Sequence, residues 1–159
     1  MVRKRPSAND ENDDHGVHVQ GEEQGHEATK HRGLLISSTH IARFLAPVLS
    51  RKTAEVRNFN CRVISKGTPI YLVESGVKDS GGNGVFRIVA RAEFGGNSFV
   101  KHEDFQHHHS KHRCTASEYE EVRSKWQSDK GGCVLWAMKV VEILQTPLFV
   151  KPGRGEERF

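Results

Sequence analysis

Long apolar runs are missing from this sequence of 159 residues. The longest mostly apolar stretch, Cys133 to Leu144, is interrupted by Lys139 and Glu142, whereas a membrane-spanning helix needs about 20 apolar residues in succession. The N-terminus also lacks the apolar region of a secretory signal peptide. We therefore expect no contact with membranes and an intracellular protein, in the cytoplasm or the nucleus.

Cysteine is scarce as well. The three cysteines, Cys61, Cys114 and Cys133, cannot all pair with one another, and no two of them are close in sequence. A Cys-x-x-Cys motif, which would indicate a zinc or redox site, is absent. The sequence therefore predicts free thiols in a reducing compartment, in agreement with an intracellular location.

Large apolar side chains are absent from residues 1–30, which contain no Ile, Leu, Phe, Trp or Tyr. Such a segment cannot bury enough surface to offset the entropy lost on ordering it. It carries four Lys/Arg and seven Asp/Glu, whereas residues 31–159 carry 20 and 13. We predict a disordered acidic tail over 1–30, able to contact a protein partner, and a basic domain over 31–159. A basic domain favours polyanions such as RNA or single-stranded nucleic acid.

Hydrophobic periodicity predicts both strands and helices in the domain. The first helix begins near Ser37 and is ended or kinked by Pro47, and a second begins with a capping box at Thr115 to Glu118. This mixture predicts an α+β fold rather than a doubly wound sheet. The apolar face of the first helix is expected to contain Ile41, Phe44, Leu45, Val48 and Leu49. Strands are expected at 33–37, 63–64, 70–73, 85–94 and 133–144.

The segment from Arg51 to Arg57 combines cations, a hydroxyl and a carboxylate within seven residues. If a strand begins at Ala54, Glu55 and Arg57 share one face of it. Lysine and arginine can bind phosphate, and a neighbouring carboxylate can accept a hydrogen bond from the amino group of a base. Phe59 follows closely and is expected near the same site.

The motif Lys52-Thr53-x-Glu55-x-Arg57 after a helix, with a glycine-containing turn and an apolar strand behind it, resembles the ASCH domain family. The late apolar strand followed by Thr-Pro-Leu is similar too. The resemblance implies a PUA-like fold, a small mixed β-barrel flanked by helices, with a cleft between the first helix and the barrel. It also implies binding of RNA or modified nucleosides, in some members within coactivator assemblies. Lys52, Thr53, Glu55 and Arg57 would then line the cleft.

Some members of that family resemble small amidohydrolases that deacylate 4-acetylcytidine with a lysine, a threonine and a glutamate. Lys52 matches their lysine, but Glu55 stands where they have the nucleophilic threonine, and His112 falls near their glutamate. Glu103 or Glu118 could replace that glutamate in space. A nucleophile needs a base within hydrogen-bond reach, so we expect no enzyme of this type. If the protein is an enzyme, Lys52 is the candidate base.

Histidines are concentrated between His102 and His112, just before Cys114. His108 and His112 have helical spacing and, with Cys114, are the candidates for a metal site. A structural zinc site needs four ligands, and no second paired motif is present. We therefore expect neither a metal nor a cofactor.

Three functions remain open from the sequence. The leading prediction is a module that binds RNA, another nucleic acid or a modified nucleoside in a basic cleft. The alternatives are a small hydrolase of acylated nucleosides or RNA, and a protein-interaction domain of a regulatory or coactivator complex. Two arginines on one face of the strand at 85–94 complete the candidate ligand-binding set, which is Lys52, Thr53, Glu55, Arg57, Phe59, Arg87 and Arg91.

Overall fold

The structure is a computed structural model and describes residues 16–20 and 30–150. These residues form an α+β fold, which confirms the predicted class. The strands are β1 (Gly16–Gln20), β2 (Lys30–Ser37), β3 (Ala54–Arg57), β4 (Pro69–Lys78), β5 (Gly84–Lys101) and β6 (Gly132–Val150). The α-helices are α1 (Ser38–Phe44), α2 (His109–His112) and α3 (Ala116–Ser124), with 3-10 turns at Val48–Ser50 and His102–His108. Among the described residues, no helix is long and apolar enough to cross a membrane.

All six strands belong to one mixed sheet, in the order β1-β2-β4-β5-β6-β3. Strands β2 and β4 are parallel, and the other neighbouring pairs are antiparallel. No ladder joins the edge strands β1 and β3 in the described part of the chain, so the sheet is open and does not close into the small mixed β-barrel that the resemblance implied. The reason is that β3 is only four residues long and pairs with β6 alone. Its contact with β2 is a side-chain hydrogen bond instead, which Arg57 donates to the carbonyl of Leu35.

Strands β5 and β6 are the longest elements, with 18 and 19 residues. Three register shifts interrupt their pairing, and such irregularities bend a strand pair and increase its twist. Both faces of the first half of β6 are buried, because apolar side chains alternate between two clusters. Trp136 and Met138 pack with α1, whereas Cys133 and Leu135 pack with residues of α3 and the preceding turn. The helices therefore meet the sheet on opposite faces of β6.

Most of the predicted elements are confirmed. The strands at 33–37, 70–73, 85–94 and 133–144 lie within β2, β4, β5 and β6, and the capping box of α3 is present. Ser37 is the N-cap of α1, although its side chain makes no capping hydrogen bond. Two predictions are wrong. Val63 and Ile64 form no strand, and Val48 and Leu49 are 76% and 94% exposed because α1 ends before Pro47 and a 3-10 turn carries them outward.

The predicted acidic tail falls outside the described residues, apart from Gly16–Gln20 and Lys30. Residues Gly16–Gln20 form β1 and pair antiparallel with β2. The division of the chain at residue 30 stays a prediction. None of the three cysteines is in a disulfide, as the cysteine count predicted, and all three are buried.

Candidate functional site

The chain between α1 and β3 is held from three directions. The Lys52 N–H donates to the Arg43 carbonyl in α1 at 2.8 Å, and the Thr53 N–H donates to the Lys111 carbonyl in α2 at 2.8 Å. The Thr53 carbonyl accepts from the Met138 N–H in β6, also at 2.8 Å. Elements α1, α2 and β6 therefore fix the backbone from which the charged side chains of this segment project.

A cavity of about 210 Å³ lies beside this segment, between β2, β3, α1 and α3. Its volume is roughly that of seven water molecules in the liquid, which is enough for a single small ring system. Backbone and apolar groups form part of the wall. The polar residues that line it are Ser37, His40, Lys52, Glu55, Arg57, Cys114, Glu118 and Tyr119.

A buried ion pair forms one part of the cavity wall. Lys52 Nζ lies 2.7 Å from Glu55 Oε2, and the two side chains are 0% and 10% exposed. Lys52 Nζ is also 3.4 Å from His40 Nδ1 and 5.2 Å from the centroid of the Phe44 ring. The ammonium group is therefore covered by protein, and it neutralises Glu55 rather than facing solvent as a free cation.

The protonation of the two titratable neighbours follows from this arrangement. Burial raises the pKa of the Glu55 carboxyl, but attraction to Lys52 and Arg57 outweighs that effect, so the pKa lies below its usual value. Burial, and then repulsion from Lys52, lowers the pKa of His40. At neutral pH the cavity therefore contains an ionised carboxylate and a neutral imidazole.

Arg57 supplies hydrogen-bond donors next to that carboxylate. Its Nη2 donates to the Leu35 carbonyl at 3.0 Å and lies 4.0 Å from Glu55 Oε1. Its Cζ is 5.6 Å from the centroid of the Trp136 ring, a distance at which cation and ring attract each other. The buried Nε has no hydrogen-bond partner among the described residues. A guanidinium with a fixed orientation thus stands beside an ionised acceptor.

Glu118 lines the same cavity but is fully engaged by other groups. Its two oxygens accept from Arg43 Nη1 and Nη2 at 3.0 and 2.6 Å, and one also accepts from the Thr115 N–H at 2.7 Å. The hydrogen bond from Arg43, and then that from the Thr115 backbone, lowers the pKa of Glu118 to about 2. This carboxylate therefore joins α3 to α1 and is a poor proton acceptor.

Within the histidine cluster, His112 is a core residue, whereas His107 and His109 are exposed. His112 is fully buried; its Nε2 donates to the Phe105 carbonyl at 2.9 Å, and its Nδ1 accepts from the Cys114 N–H at 3.0 Å. Both nitrogens are used by one neutral tautomer, and burial lowers the pKa of the ring. In the described ranges, no three His, Cys, Asp or Glu side chains are placed to hold a metal. The structure therefore does not bring the candidates His108, His112 and Cys114 together as a group of three ligands.

Three other candidate residues lie away from the cavity. Thr53 is exposed and is not part of the cavity wall. Arg87 donates from Nε to Glu74 Oε2 at 2.7 Å, and Arg91 lies 3.4 Å from a Glu142 carboxylate oxygen. Both arginines are thus paired with carboxylates on the sheet, and their predicted role in ligand binding stays a prediction.

A second concave surface, of about 320 Å³, follows the cavity along the chain. We call it the Phe99 groove; its walls include Phe59, Arg62, Phe99 and Lys130. Phe59, which was expected near the cavity, lines this groove, with its ring edge-on to Trp136 at 5.4 Å between centroids. The two concave surfaces are therefore neighbours, with Trp136 in contact with a residue from each.

Sequence reasoning missed two groups of residues. His40 and Arg43 are three residues apart on α1 and so share a face; a helical wheel would have shown this polar stripe beside the apolar one. Phe99 was missed because the predicted strand stopped at Phe94, before two glycines. The polar face of a helix next to a charged segment is the signal that could have identified the first group.

Comparison with known proteins adds no family assignment. No protein-family model matches the chain, and neither does any curated protein sequence. The resemblance to the ASCH family stays a prediction that depends on the segment from Lys52 to Arg57. The geometry of the cavity is therefore the basis for a functional proposal.

Proposed function

We propose that this domain is a PUA-like module of the ASCH type that binds one nucleobase, of a nucleoside or a nucleic acid, in the cavity beside β3. The observation that carries the proposal is the pair formed by Glu55 and Arg57, an ionised acceptor 4.0 Å from a fixed donor. A carboxylate accepts from the exocyclic amino group of a base such as cytosine. The guanidinium donates to the ring nitrogen or carbonyl on the same edge, which is how flipped bases are recognised.

The charge balance of the cavity favours a base over a phosphate group. Lys52 is covered and paired with Glu55, and Arg43 is paired with Glu118. An incoming phosphate would gain Arg57 but would also meet the ionised Glu55, and like charges in a poorly solvated site repel strongly. A neutral heterocycle with both a donor and an acceptor avoids that cost.

The coarse architecture is consistent with the PUA-like part of the proposal. Two long bent strands curve one mixed sheet, short helices flank it, and the cavity lies between the first helix and the sheet. The sheet differs from a barrel between β2 and β3, which form no ladder with each other in the described residues. There the Arg57 guanidinium, bonded to Leu35, takes the place of a strand ladder.

Three buried cysteines without a disulfide support a reducing compartment, and we propose the cytoplasm or the nucleus. Contact with a protein partner through residues 1–30 stays a prediction, because that segment lies almost wholly outside the described residues.

The geometry does not favour the hydrolase alternative. Thr53 is outside the cavity, Lys52 is paired with Glu55, and the Glu118 carboxylate is bound by Arg43. A hydrolase of the related type needs a hydroxyl nucleophile with its base in reach. We therefore propose binding without hydrolysis.

The proposal can be tested by titrating cytidine, 4-acetylcytidine, adenosine, guanosine and uridine into the protein, followed by calorimetry or NMR. The Glu55 carboxylate needs an amino-group donor, so uridine should bind about tenfold or more weakly than the best nucleoside with an exocyclic nitrogen donor. Absence of binding by every nucleoside to the folded protein would contradict the proposal.

The matched variants are Arg57→Gln and Arg91→Gln, which remove the same charge from the cavity and from the exposed surface of β5. We expect Arg57→Gln to abolish nucleoside binding and Arg91→Gln to leave it unchanged. Circular dichroism and a thermal melt establish that both variants are folded. Equal affinity for the two folded variants would refute the role of the cavity.

A further inference from the structure

The Phe99 groove contains an aromatic ring that is exposed and yet held in place. Phe99 is 57% exposed and lies opposite Val134 on β6. A Cβ atom on Gly132 would lie 2.7 Å from Phe99 Cζ, so the ring rests directly against the glycine backbone. A flat apolar surface of fixed orientation is what base stacking requires.

The opposite wall of the groove is a loop that is also fixed. Trp136 Nε1 donates to the Phe59 carbonyl at 2.8 Å. The Asn97 side chain accepts from the Cys61 N–H at 2.9 Å and donates to the Cys61 carbonyl at 3.0 Å. These hydrogen bonds restrict the loop before any ligand is present. The loop therefore loses little conformational entropy when a ligand binds.

Two cations at the groove have no carboxylate partner. Arg62 and Lys130 are exposed, and neither forms an ion pair within the described residues. By contrast, Arg91 and Arg123 on other surfaces are paired with Glu142 and Asp129. Unpaired cations beside a stacking ring are the combination that binds single-stranded nucleic acid, since phosphates meet the cations and bases meet the ring.

The groove begins where the cavity ends. Arg57 lines the cavity, and the next residue, Asn58, lines the groove. Arg57 and Phe59 contact the same Trp136 ring, at 5.6 and 5.4 Å, and positions two residues apart along an extended chain are separated by roughly 7 Å. The two surfaces are close enough to hold neighbouring units of one ligand.

We propose that the Phe99 groove binds the nucleotide adjacent to the one whose base occupies the cavity, so that the natural ligand is single-stranded nucleic acid and not a free nucleoside. This inference depends on the proposed function, because the cavity supplies the base contact. Phe99 stacks on the neighbouring base, and Arg62 and Lys130 contact the phosphates on either side.

The test measures fluorescence anisotropy of two labelled probes, a mixed-sequence single-stranded RNA of about six nucleotides and the DNA of the same sequence. The same proteins are titrated with the nucleoside that binds best. Wild type should bind at least one oligonucleotide about tenfold or more tightly than the nucleoside. The RNA and DNA probes show which sugar the groove accepts.

Two variants of the groove are compared with wild type, each with a matched control. Phe99→Ala should weaken oligonucleotide binding by about tenfold, whereas Phe149→Ala, which removes another exposed phenylalanine of the sheet, should not. Arg62→Gln/Lys130→Gln should reduce the salt slope of log affinity by roughly 0.7 per cation removed. The control Lys66→Gln/Lys139→Gln removes the same charge from exposed sites outside the groove.

The outcomes separate the two proposals. Nucleoside affinity that is unchanged in the groove variants, with oligonucleotide affinity reduced, supports the inference. Oligonucleotide affinity that equals nucleoside affinity, or that is the same in the groove variants and their controls, overturns it and leaves the cavity proposal intact. Failure of wild type to bind any nucleoside would instead remove the proposed function itself.

Discussion

The cavity and the Phe99 groove are neighbours on one chain segment, but they use charge in opposite ways. In the cavity, Lys52 and Glu55 are buried and paired; at the groove, Arg62 and Lys130 are exposed and have no ion-pair partner among the residues that the structure describes. A buried pair is costly to desolvate and selects for ligand geometry. Exposed cations attract anions over a longer range and are screened by salt. The cavity can therefore provide selectivity for the ligand, while the groove provides long-range attraction to its anionic groups.

The largest effect should come from breaking the buried pair. Lys52→Met leaves the buried Glu55 carboxylate without its nearest counter-ion and with Arg57 at 4.0 Å as the remaining cation. Removing one partner of a buried ion pair costs about 3–5 kcal/mol of unfolding free energy. Urea denaturation of wild type and variant measures the difference. At the groove, Arg62→Met should change stability by no more than about 0.5 kcal/mol, because that side chain is exposed and forms no ion pair with any described residue.

The double variant Lys52→Met/Glu55→Met is the control for this experiment. Replacing a whole buried ion pair by apolar side chains is often neutral or stabilising, so the double variant should recover most of the lost stability. If single and double variants are equally unstable, Lys52 acts through its packing on Phe44 and not by neutralising Glu55.

A smaller effect is expected from Gly132→Ala, which affects the groove and spares the cavity. The new Cβ would lie 2.2 Å from the Val100 carbonyl oxygen, so β5 and Phe99 must move. Overpacking of this kind costs about 1–3 kcal/mol. Oligonucleotide binding should weaken while nucleoside binding persists, as measured by the two titrations described above.

Gly84→Ala is the matched substitution for Gly132→Ala. A Cβ at Gly84 would meet no atom within 4 Å, and the φ of Gly84 lies outside the left-handed region. Its stability should therefore stay within about 0.5 kcal/mol of wild type. A comparable loss at both positions would show that Gly132 matters for strand flexibility and not for the close approach to Val100.

The mildest test is acidification, which should act on the cavity and not on the groove. His40 lines the cavity and His112 accepts from the backbone N–H of cavity-lining Cys114, whereas no histidine is among the described residues that line the groove. Burial lowers the pKa of both rings from the ordinary value of 6.5. The unfolded chain therefore binds more protons below that pH, and stability falls as the pH falls. Each histidine contributes at most about 1.4 kcal/mol per pH unit.

Unfolding free energies at about pH 7.5 and about pH 5.5 cover this titration. The variant His112→Gln can keep a donor and an acceptor, and its stability should depend less steeply on pH than that of wild type. After correction for the slower intrinsic exchange at the lower pH, protection against hydrogen exchange should fall first in α1 and α2. Earlier exchange at the groove-lining residues would contradict the division between the two sites.

Much of the fold follows from patterns that lie within a single element. Alternation along residues 85–94 and the capping box at Thr115 both predicted the correct element, because each signal is local. The strand predicted at Val63 and Ile64 was wrong because the structure there is not set locally. β-branched residues favour a strand, but this loop is held by side chains distant in sequence, among them Trp136 and Asn97.

The candidate site could be predicted only in part. Strand alternation placed Glu55 and Arg57 on one face, and both line the cavity; their role in binding stays a prediction. The burial of Lys52 depends on elements that meet only in the tertiary structure, so no local pattern indicates it. Phe99 lies beyond two glycines that are typical of a strand end. Gly95 instead leaves room for Ala137, since a Cβ there would lie 2.9 Å from the Ala137 Cβ.

The fluorescence of Trp136 should report on both surfaces, because its indole contacts Arg57 of the cavity and the Phe59 ring of the groove. Indole emission is sensitive to nearby charge and to ring contacts. The chain has two tryptophans, so Trp126→Phe leaves Trp136 as the single intrinsic fluorophore. Its emission can then follow occupancy of either surface without a label, and a stopped-flow trace with two phases would show in which order a strand fills them.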